Sequence, residues 1–247
     1  MNPDRRVVLI NGAGGALGAA LSRRFAAEPN TDLVLSDLSD VSLAATIDSL
    51  PDASAVESLT ADVSDTAAVQ RVVDRAVERF GRVDVLVSNA GILTENARVH
   101  NVTTADWERA FRVNVLGAAN AITAVVPVMR EQKVGSIIVT ASVAGLTAWS
   151  HSAPYCATKA AVIQLAKVAA IEYARDGIRV NCVCPGTFRS AIHGELPEQA
   201  MEVMAAKHPL GLGAADDLVG AYVYLASDAA RWTTGTALVV DGGYSAQ

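Results

Sequence analysis

The 247-residue sequence predicts an α/β fold, a doubly wound parallel sheet of seven strands with helices on both faces, in a single domain over 1-247. Three observations predict it. Short continuous apolar runs rich in β-branched residues alternate with longer amphipathic stretches, as expected of strands covered on both faces and joined by helices. A glycine-rich turn links the first run to the first helix-like stretch. No Pro/Ser-rich linker, composition break or solenoid-type repeat divides the chain.

Taken in order, Val7–Ile10 reads as the first strand and Ala16–Ala27 as the first helix. Leu33–Leu35 is the second strand, running out through Ser36 to Asp37, and Val56–Thr60 is a short third. The amphipathic stretch Ala67–Phe80 leads to a fourth strand at Val83–Val87, and a long helix is predicted over Thr104–Arg130. Ser136–Thr140, the helix Ala153–Arg175, Arg179–Val183 and the late strand Ala237–Val240 complete the set, with right-handed crossovers throughout. One region breaks the alternation. Residues 187 to 213 contain Pro197 and Pro209 but no strand, and a helix is predicted at Pro197–Lys207. An insertion at the carboxyl end of such a strand overhangs the ligand crevice, so it reads as a substrate-side lid.

Apolar residues make up 51% of the chain, enough for a sizeable core, and the formal net charge is −6. Lys and Arg are scattered with no basic run, which argues against nucleic acid as a partner. Apolar stretches such as Ile122–Met129 are too short to cross a bilayer, and the N-terminus lacks the apolar core of a signal peptide, so no membrane role is expected. Cys156, Cys182 and Cys184 are odd in number and fit no disulfide framework. Cys182 and Cys184 would point to one side of a strand, but no further ligands accompany them. Reduced thiols, no metal and a cytoplasmic location are expected.

The chemistry is concentrated in a few positions. Tyr155 and Lys159 are four residues apart at the start of a predicted helix and would project from one face. A free phenol is a poor base at neutral pH, but a cation beside it favours the phenolate. Ser142 lies thirteen residues upstream. At the other end, Gly12, Gly14, Gly15, Ala16, Leu17 and Gly18 form a strand–turn–helix junction in which glycines let backbone approach a pyrophosphate and the helix N-terminus supplies amides. Asp37, nineteen residues beyond Gly18, is placed to accept from an adenosine ribose. Its charge repels a 2′-phosphate and neither Ser36 nor Leu38 offers a cation, which favours NAD over NADP.

Together these residues resemble the short-chain dehydrogenase/reductase family, in its short single-domain branch with a Rossmann-like sheet. The likeness runs almost the whole chain: the glycine turn at 12–18, Asp62-Val63, Asn89-Ala90-Gly91, Asn114, Ser142, Tyr155 with Lys159, Pro185-Gly186 and the tail Asp241-Gly242-Gly243 fall in the family's order. The middle glycine of the family's usual turn is Ala16 here, and Asn11 stands where Thr is common. The resemblance implies an oxidoreductase interconverting a secondary alcohol and a ketone with NAD. Tyr155 would be the acid/base, Lys159 the ribose contact that lowers its pKa, Ser142 the partner of the reacting oxygen, and Asn114 the holder of a relay water. Asp62 and Val63 would flank the adenine. Asn89, Ala90 and Gly91 would pack by the adenosine ribose, and Ser190 would reach the carboxamide, near Pro185 and Gly186. Two alternatives remain: a 3-oxoacyl thioester reductase using NADPH, and a non-catalytic nucleotide sensor on the same fold. The resemblance also implies a homotetramer, built through the helices at 104–130 and 153–175 and the C-terminal segment.

Around the substrate, Trp149 and His151 are expected to line the pocket with Ser142, Tyr155 and Gly186, while Arg189 and His193 are candidates to recognise a polar or anionic group. Trp107 reads as a packing or pocket-wall residue, and Trp232 is expected to be buried beneath the C-terminal segment. His100 and His208 have no partner legible in the sequence.

Overall fold

The hydrogen-bonded strands run in the order β3-β2-β1-β4-β5-β6-β7, all parallel, in a computed structural model that describes residues 5–51, 55–190 and 198–246. The strands are β1 (Arg6–Asn11), β2 (Thr31–Asp37), β3 (Val56–Thr60), β4 (Val85–Ser88), β5 (Gly135–Thr140), β6 (Ile178–Pro185) and β7 (Ala237–Val240). The helices are α1 (Ala16–Ala26), α2 (Asp40–Asp48), α3 (Thr66–Phe80), α4 (Thr104–Ala110), α5 (Gly117–Gln132), α6 (Ala153–Tyr173), α7 (Glu198–Ala206) and α8 (Ala215–Ala226). Strand order reverses at β1, which pairs with β2 on one side and β4 on the other. The crevice opened there, at the carboxyl ends of the strands, is where such sheets bind ligands.

The central strands are apolar on both sides because two layers of helix cover them. Val7, Leu9, Leu86, Ile137 and Val180 pack toward α3, α5 and α6, while Val8, Ile10, Val85, Val87 and Ile138 pack toward α1 and α8. Each such side chain contributes about 1.5–3 kcal/mol by burial. The local code is plain in α3. The Asp65 carboxylate caps the Ala67 and Ala68 amides, Val69, Val72, Val73 and Ala76 bury one face, and Gly81 at φ 80° ends the helix in a conformation side chains resist.

Two helices are absent from the sequence reading. α2 buries only Leu43 and Thr46, too few to set a period, and α8 is apolar nearly all round, which hides its periodicity. The predicted helix at 104–130 is continuous but carries a π-helical turn at Phe111–Leu116 between α4 and α5. Taken whole, Thr104–Gln132 is long and apolar enough to span a membrane by length and composition, contrary to the expectation from its apolar runs. Here Ala118, Ala121, Ile122, Val125 and Met129 are buried in the domain core. Trp232 also corrects the reading: it is 98% exposed.

Candidate active site

The parted ends of β1 and β4 open into a cleft of about 930 Å³, lined at one end by the glycine turn, Asp37, Leu38, Asp62 and Val63 and at the other by Ser142, Trp149, Tyr155, Lys159 and Pro185 to Phe188. The volume is that of a small-molecule site.

The four glycines of the turn have different reasons to be glycine. Gly12 has φ +66°, and a Cβ there would lie 2.7 Å from the Ala90 Cα. A Cβ on Gly14 would meet the Ser42 Cβ at 2.6 Å, and one on Gly18 would press on the Gly12 carbonyl oxygen at 2.0 Å. These three serve packing, and Gly18 is buried rather than facing the cleft. Gly15 alone is free of this constraint: its φ is −75° and a Cβ would find nothing nearer than 3.7 Å. Its missing side chain opens space in the cleft over the first turn of α1, where no acidic residue competes with an anion for the positive end of the dipole. That is a cradle suited to a pyrophosphate. Gly15→Ala should therefore fold with only a small loss in melting temperature yet bind dinucleotide at least about 10-fold more weakly, while Gly18→Ala should fail to fold stably. Thermal melts and cofactor titrations separate the two, and equal affinity in Gly15→Ala and wild type would remove the cradle.

Around that cradle Ala16, which begins α1, and Leu17 line the cleft. The Asp37 carboxylate accepts from the Gly14 amide at 2.8 Å and the Ser39 amide at 3.1 Å, so it shapes the turn as well as facing the adenosine end. Asn11 ties the switch together by accepting from the Asn89 and Ala90 amides, each at 2.8 Å, and the Asn89 side chain donates back to the Gly12 carbonyl at 3.0 Å. The residues present thus fit a dinucleotide across the switch point.

The reacting end is built on α6 and the turn after β5. Gly145 presses so closely on Lys159 and Ala160 that a Cβ would fall 2.6 Å from backbone, which brings Ser142 over the start of α6. Ser142 accepts from the Ala144 amide at 3.1 Å, and its hydroxyl is near enough to the Tyr155 phenol to favour its ionisation. The Lys159 ammonium lies 5.7 Å from the centre of the Tyr155 ring and donates to the Thr140 carbonyl at 2.8 Å. Burial pushes the Tyr155 phenol up to about 12 against the influence of Ser142, and pulls Lys159 down to about 8. The sequence reading expects Lys159 to lower the phenol. In the protein alone, desolvation is the largest influence on the phenol and holds Tyr155 protonated.

Asn114 sits in the π-helical turn and is buried, its side chain committed to protein partners. It donates to the Ile92 carbonyl and to Thr158 Oγ1, each at 3.0 Å, and accepts from the Ile92 amide at 2.8 Å. Thr158 in turn donates to the Tyr155 carbonyl at 2.9 Å, so the π turn anchors the helical turn that carries Tyr155. Gly91 lies against both, since a Cβ there would sit 3.3 Å from the Asn114 amide oxygen and the Lys159 nitrogen. Thr158, Thr140 and Tyr222 are given no part in the site from the sequence alone. Thr140 bonds Asn89 at 3.2 Å and the buried Tyr222 hydroxyl at 2.9 Å, joining the two ends of the cleft. Thr158 alone left a signal, as the hydroxyl one turn after Tyr155.

Trp149 lines the cleft and lies nearly parallel to Tyr155, their ring centres 6.2 Å apart. His151 does not line it. It is exposed, with φ +67°, and bonds Ser150 at 2.8 Å. Arg189 is likewise exposed and outside the lining, Ser190 is part of it, and His193 lies outside the described residues. His208, without a partner in the sequence reading, is 4% exposed and bonded through both ring nitrogens. Cys182 and Cys184 are buried free thiols. Among the described residues no group of three His, Cys, Asp or Glu side chains is arranged to hold a metal.

A nicotinamide-dependent alcohol oxidoreductase is the class that this fold and site define. The profile of the family described as enoyl-(acyl carrier protein) reductase matches residues 12–245. The chain is 35% identical to 3-oxoacyl-[acyl-carrier-protein] reductase of Thermotoga maritima over 98% of this chain and 99% of that protein. It is also 35% identical to meso-2,3-butanediol dehydrogenase of Serratia marcescens, over 100% and 97%. Levodione reductase of Leifsonia aquatica is 35% identical over 98% and 94%, and the crystal structure of levodione reductase superposes with a TM-score of 0.91, at 35% identity, covering 98% of each chain. The chain belongs to the short-chain dehydrogenase/reductase family. It is a short-chain alcohol dehydrogenase/ketoreductase.

Proposed function

We propose that this protein is an NAD-dependent oxidoreductase that interconverts a secondary alcohol and a ketone, with Tyr155 as the acid/base. The observation that carries the reading is a single cleft with Ser142, Tyr155 and Lys159 at one end and Asp37 with the open Gly15 cradle at the other. The bound cofactor supplies hydride chemistry. This chain's residues supply position and the proton. In reduction the Tyr155 hydroxyl gives its proton to the carbonyl oxygen while Ser142 donates a hydrogen bond to that oxygen. In oxidation Tyr155 must first lose its proton, which burial opposes, so the oxidising rate rises with pH. Lys159, held by the Thr140 carbonyl, provides positive charge behind the phenol. Ile92, Leu93, Trp149 and Phe188 wall the reacting end and suit a substrate with an apolar body.

Asp37 supports NAD, since Ser36 is buried and Leu38, 70% exposed, brings no cation to the rim. Asp37→Ser should lower the NAD:NADP preference at least about 10-fold in kcat/KM. An unchanged ratio sinks the assignment. The second reading, a 3-oxoacyl thioester reductase, draws on the Thermotoga relative and on the family profile's description. It requires better turnover of a 3-oxoacyl thioester with NADPH than of any secondary alcohol with NAD. A nucleotide sensor would bind NAD and turn over neither. The outward Val168 and Ile171 of α6, the latter 80% exposed, support assembly through that helix, consistent with a homotetramer. The buried, unpaired thiols support a cytoplasmic setting.

A further inference from the structure

His208 follows α7 and is committed on three sides. Its Nε2 lies 3.1 Å from the Thr187 backbone nitrogen and its Nδ1 2.8 Å from the Met204 carbonyl oxygen. A backbone N–H can only donate, so Nε2 accepts, and the ring is neutral with its proton on Nδ1, donated to Met204. Thr187 is buried and lines the cleft next to Gly186. The imidazole also packs on Tyr244, ring centres 4.9 Å apart. Tyr244 meets Trp149 edge-on at 6.2 Å, and Trp149 lies 6.2 Å from Tyr155. The Leu210 amide donates to the Gly242 carbonyl at 3.0 Å, pinning the C-terminal turn to the segment that carries His208. One side chain therefore joins the end of α7, the cleft wall after β6 and a file of rings that ends on the acid/base.

We propose that His208 is a positioning residue for the reaction, holding the Thr187 amide in the cleft wall and, through Tyr244 and Trp149, the aromatic wall against Tyr155. This rests on the alcohol–ketone reading above. Displacement of such a wall by an ångström is enough to lower a rate by orders of magnitude without a contact to the reacting atoms.

The test compares wild type with His208→Gln and His208→Phe. The Gln amide oxygen can accept from Thr187 as Nε2 does, and Phe fills the ring stack but accepts nothing. Per folded active site, kcat/KM for the best secondary alcohol should fall about 30-fold in the Phe variant and recover to within about 3-fold of wild type in the Gln variant. Equal losses in both, or none in either, overturn the proposal. If the Phe variant does not fold, Tyr244→Leu takes its place. It should raise KM for the alcohol about 5-fold with NAD affinity unchanged, and an unchanged KM overturns the proposal. A second readout needs no turnover. A long-range ¹H–¹⁵N spectrum near neutral pH should contain one histidine in the Nδ1–H tautomer that is missing from His208→Gln. An Nε2–H or charged His208 overturns the proposal even in an active enzyme. Absence of turnover from wild type on every alcohol, with the Nδ1–H signal present, counts instead against the alcohol–ketone reading.

Discussion

Tyr155→Phe is expected to lower turnover at least about 10²-fold and to leave cofactor affinity within about two-fold of wild type. The substitution removes one oxygen from a ring that is otherwise held in place by packing. Trp149 still lies beside it, and Thr158 still bonds the Tyr155 carbonyl. Cofactor contacts at the glycine turn and Asp37 are untouched, so any loss belongs to the proton. Direction adds a second signature. The phenol, pushed up to about 12 by burial, is protonated at neutral pH, which suits reduction. Wild-type oxidation should therefore accelerate with rising pH, and the Phe variant should show no such rise. Stopped-flow traces of the reduced-nicotinamide absorbance in both directions provide the measurement. Near-normal turnover in the variant would assign the proton to another group.

Lys159→Met should be more stable than wild type and nearly inactive. Lys159 is 4% exposed and its ammonium donates to the Thr140 carbonyl, and burial holds its pKa near 8 against 10.5 in a free chain. That difference amounts to a charge-burial penalty on the order of 3 kcal/mol at neutral pH. Leaving the Thr140 carbonyl without its donor returns about 1 kcal/mol of the penalty, for a net gain of about 2 kcal/mol and a melting temperature higher by about 4–8 °C. The sign follows from proton counts. Between pH 8 and 10.5 the unfolded chain keeps a proton that the folded protein has released, so wild-type stability rises with pH across that window. The Met variant lacks this slope, and its advantage should shrink as the pH is raised to about 9.5. Melts at both pH values test this, with turnover at least about 10²-fold down alongside. A variant less stable than wild type at neutral pH would mean that the ammonium is better solvated by the fold than its surroundings suggest.

The strands and the reacting pair were legible because their signals are local. Continuous β-branched runs mark strands buried on both faces, and Tyr155 and Lys159 lie one helical turn apart in the chain. What stayed hidden depends on contacts between distant segments. Asn114 was legible through the family resemblance, but the π turn that seats it depends on Ile92 and Thr158, 22 and 44 residues away. The Thr140–Tyr222 hydrogen bond spans 82 residues, and nothing in an apolar stretch such as α8 announces which of its two tyrosines ends on a strand threonine. His208 escaped for the same reason, since a lone histidine after a helix has no pattern until Thr187 folds onto it. Trp232 shows the opposite failure, where size suggested burial and the loop after α8 leaves it in solvent. The glycine turn was half legible. Four glycines pointed to close approach, but only the folded backbone separates Gly15, open to a ligand, from Gly12, Gly14 and Gly18, which are closed by their own neighbours.

Following the hydrogen itself shows whether the carbinol carbon gives hydride to the cofactor. The protein is mixed with NAD and a secondary alcohol carrying deuterium on its carbinol carbon, and the reduced cofactor is analysed by mass spectrometry and NMR. The predicted result is deuterium at carbon four of the nicotinamide ring, with ketone formed in equal amount and the reaction lost in Tyr155→Phe. Reduced cofactor carrying hydrogen from solvent, or NAD bound and left unreduced across a panel of such alcohols, would contradict it.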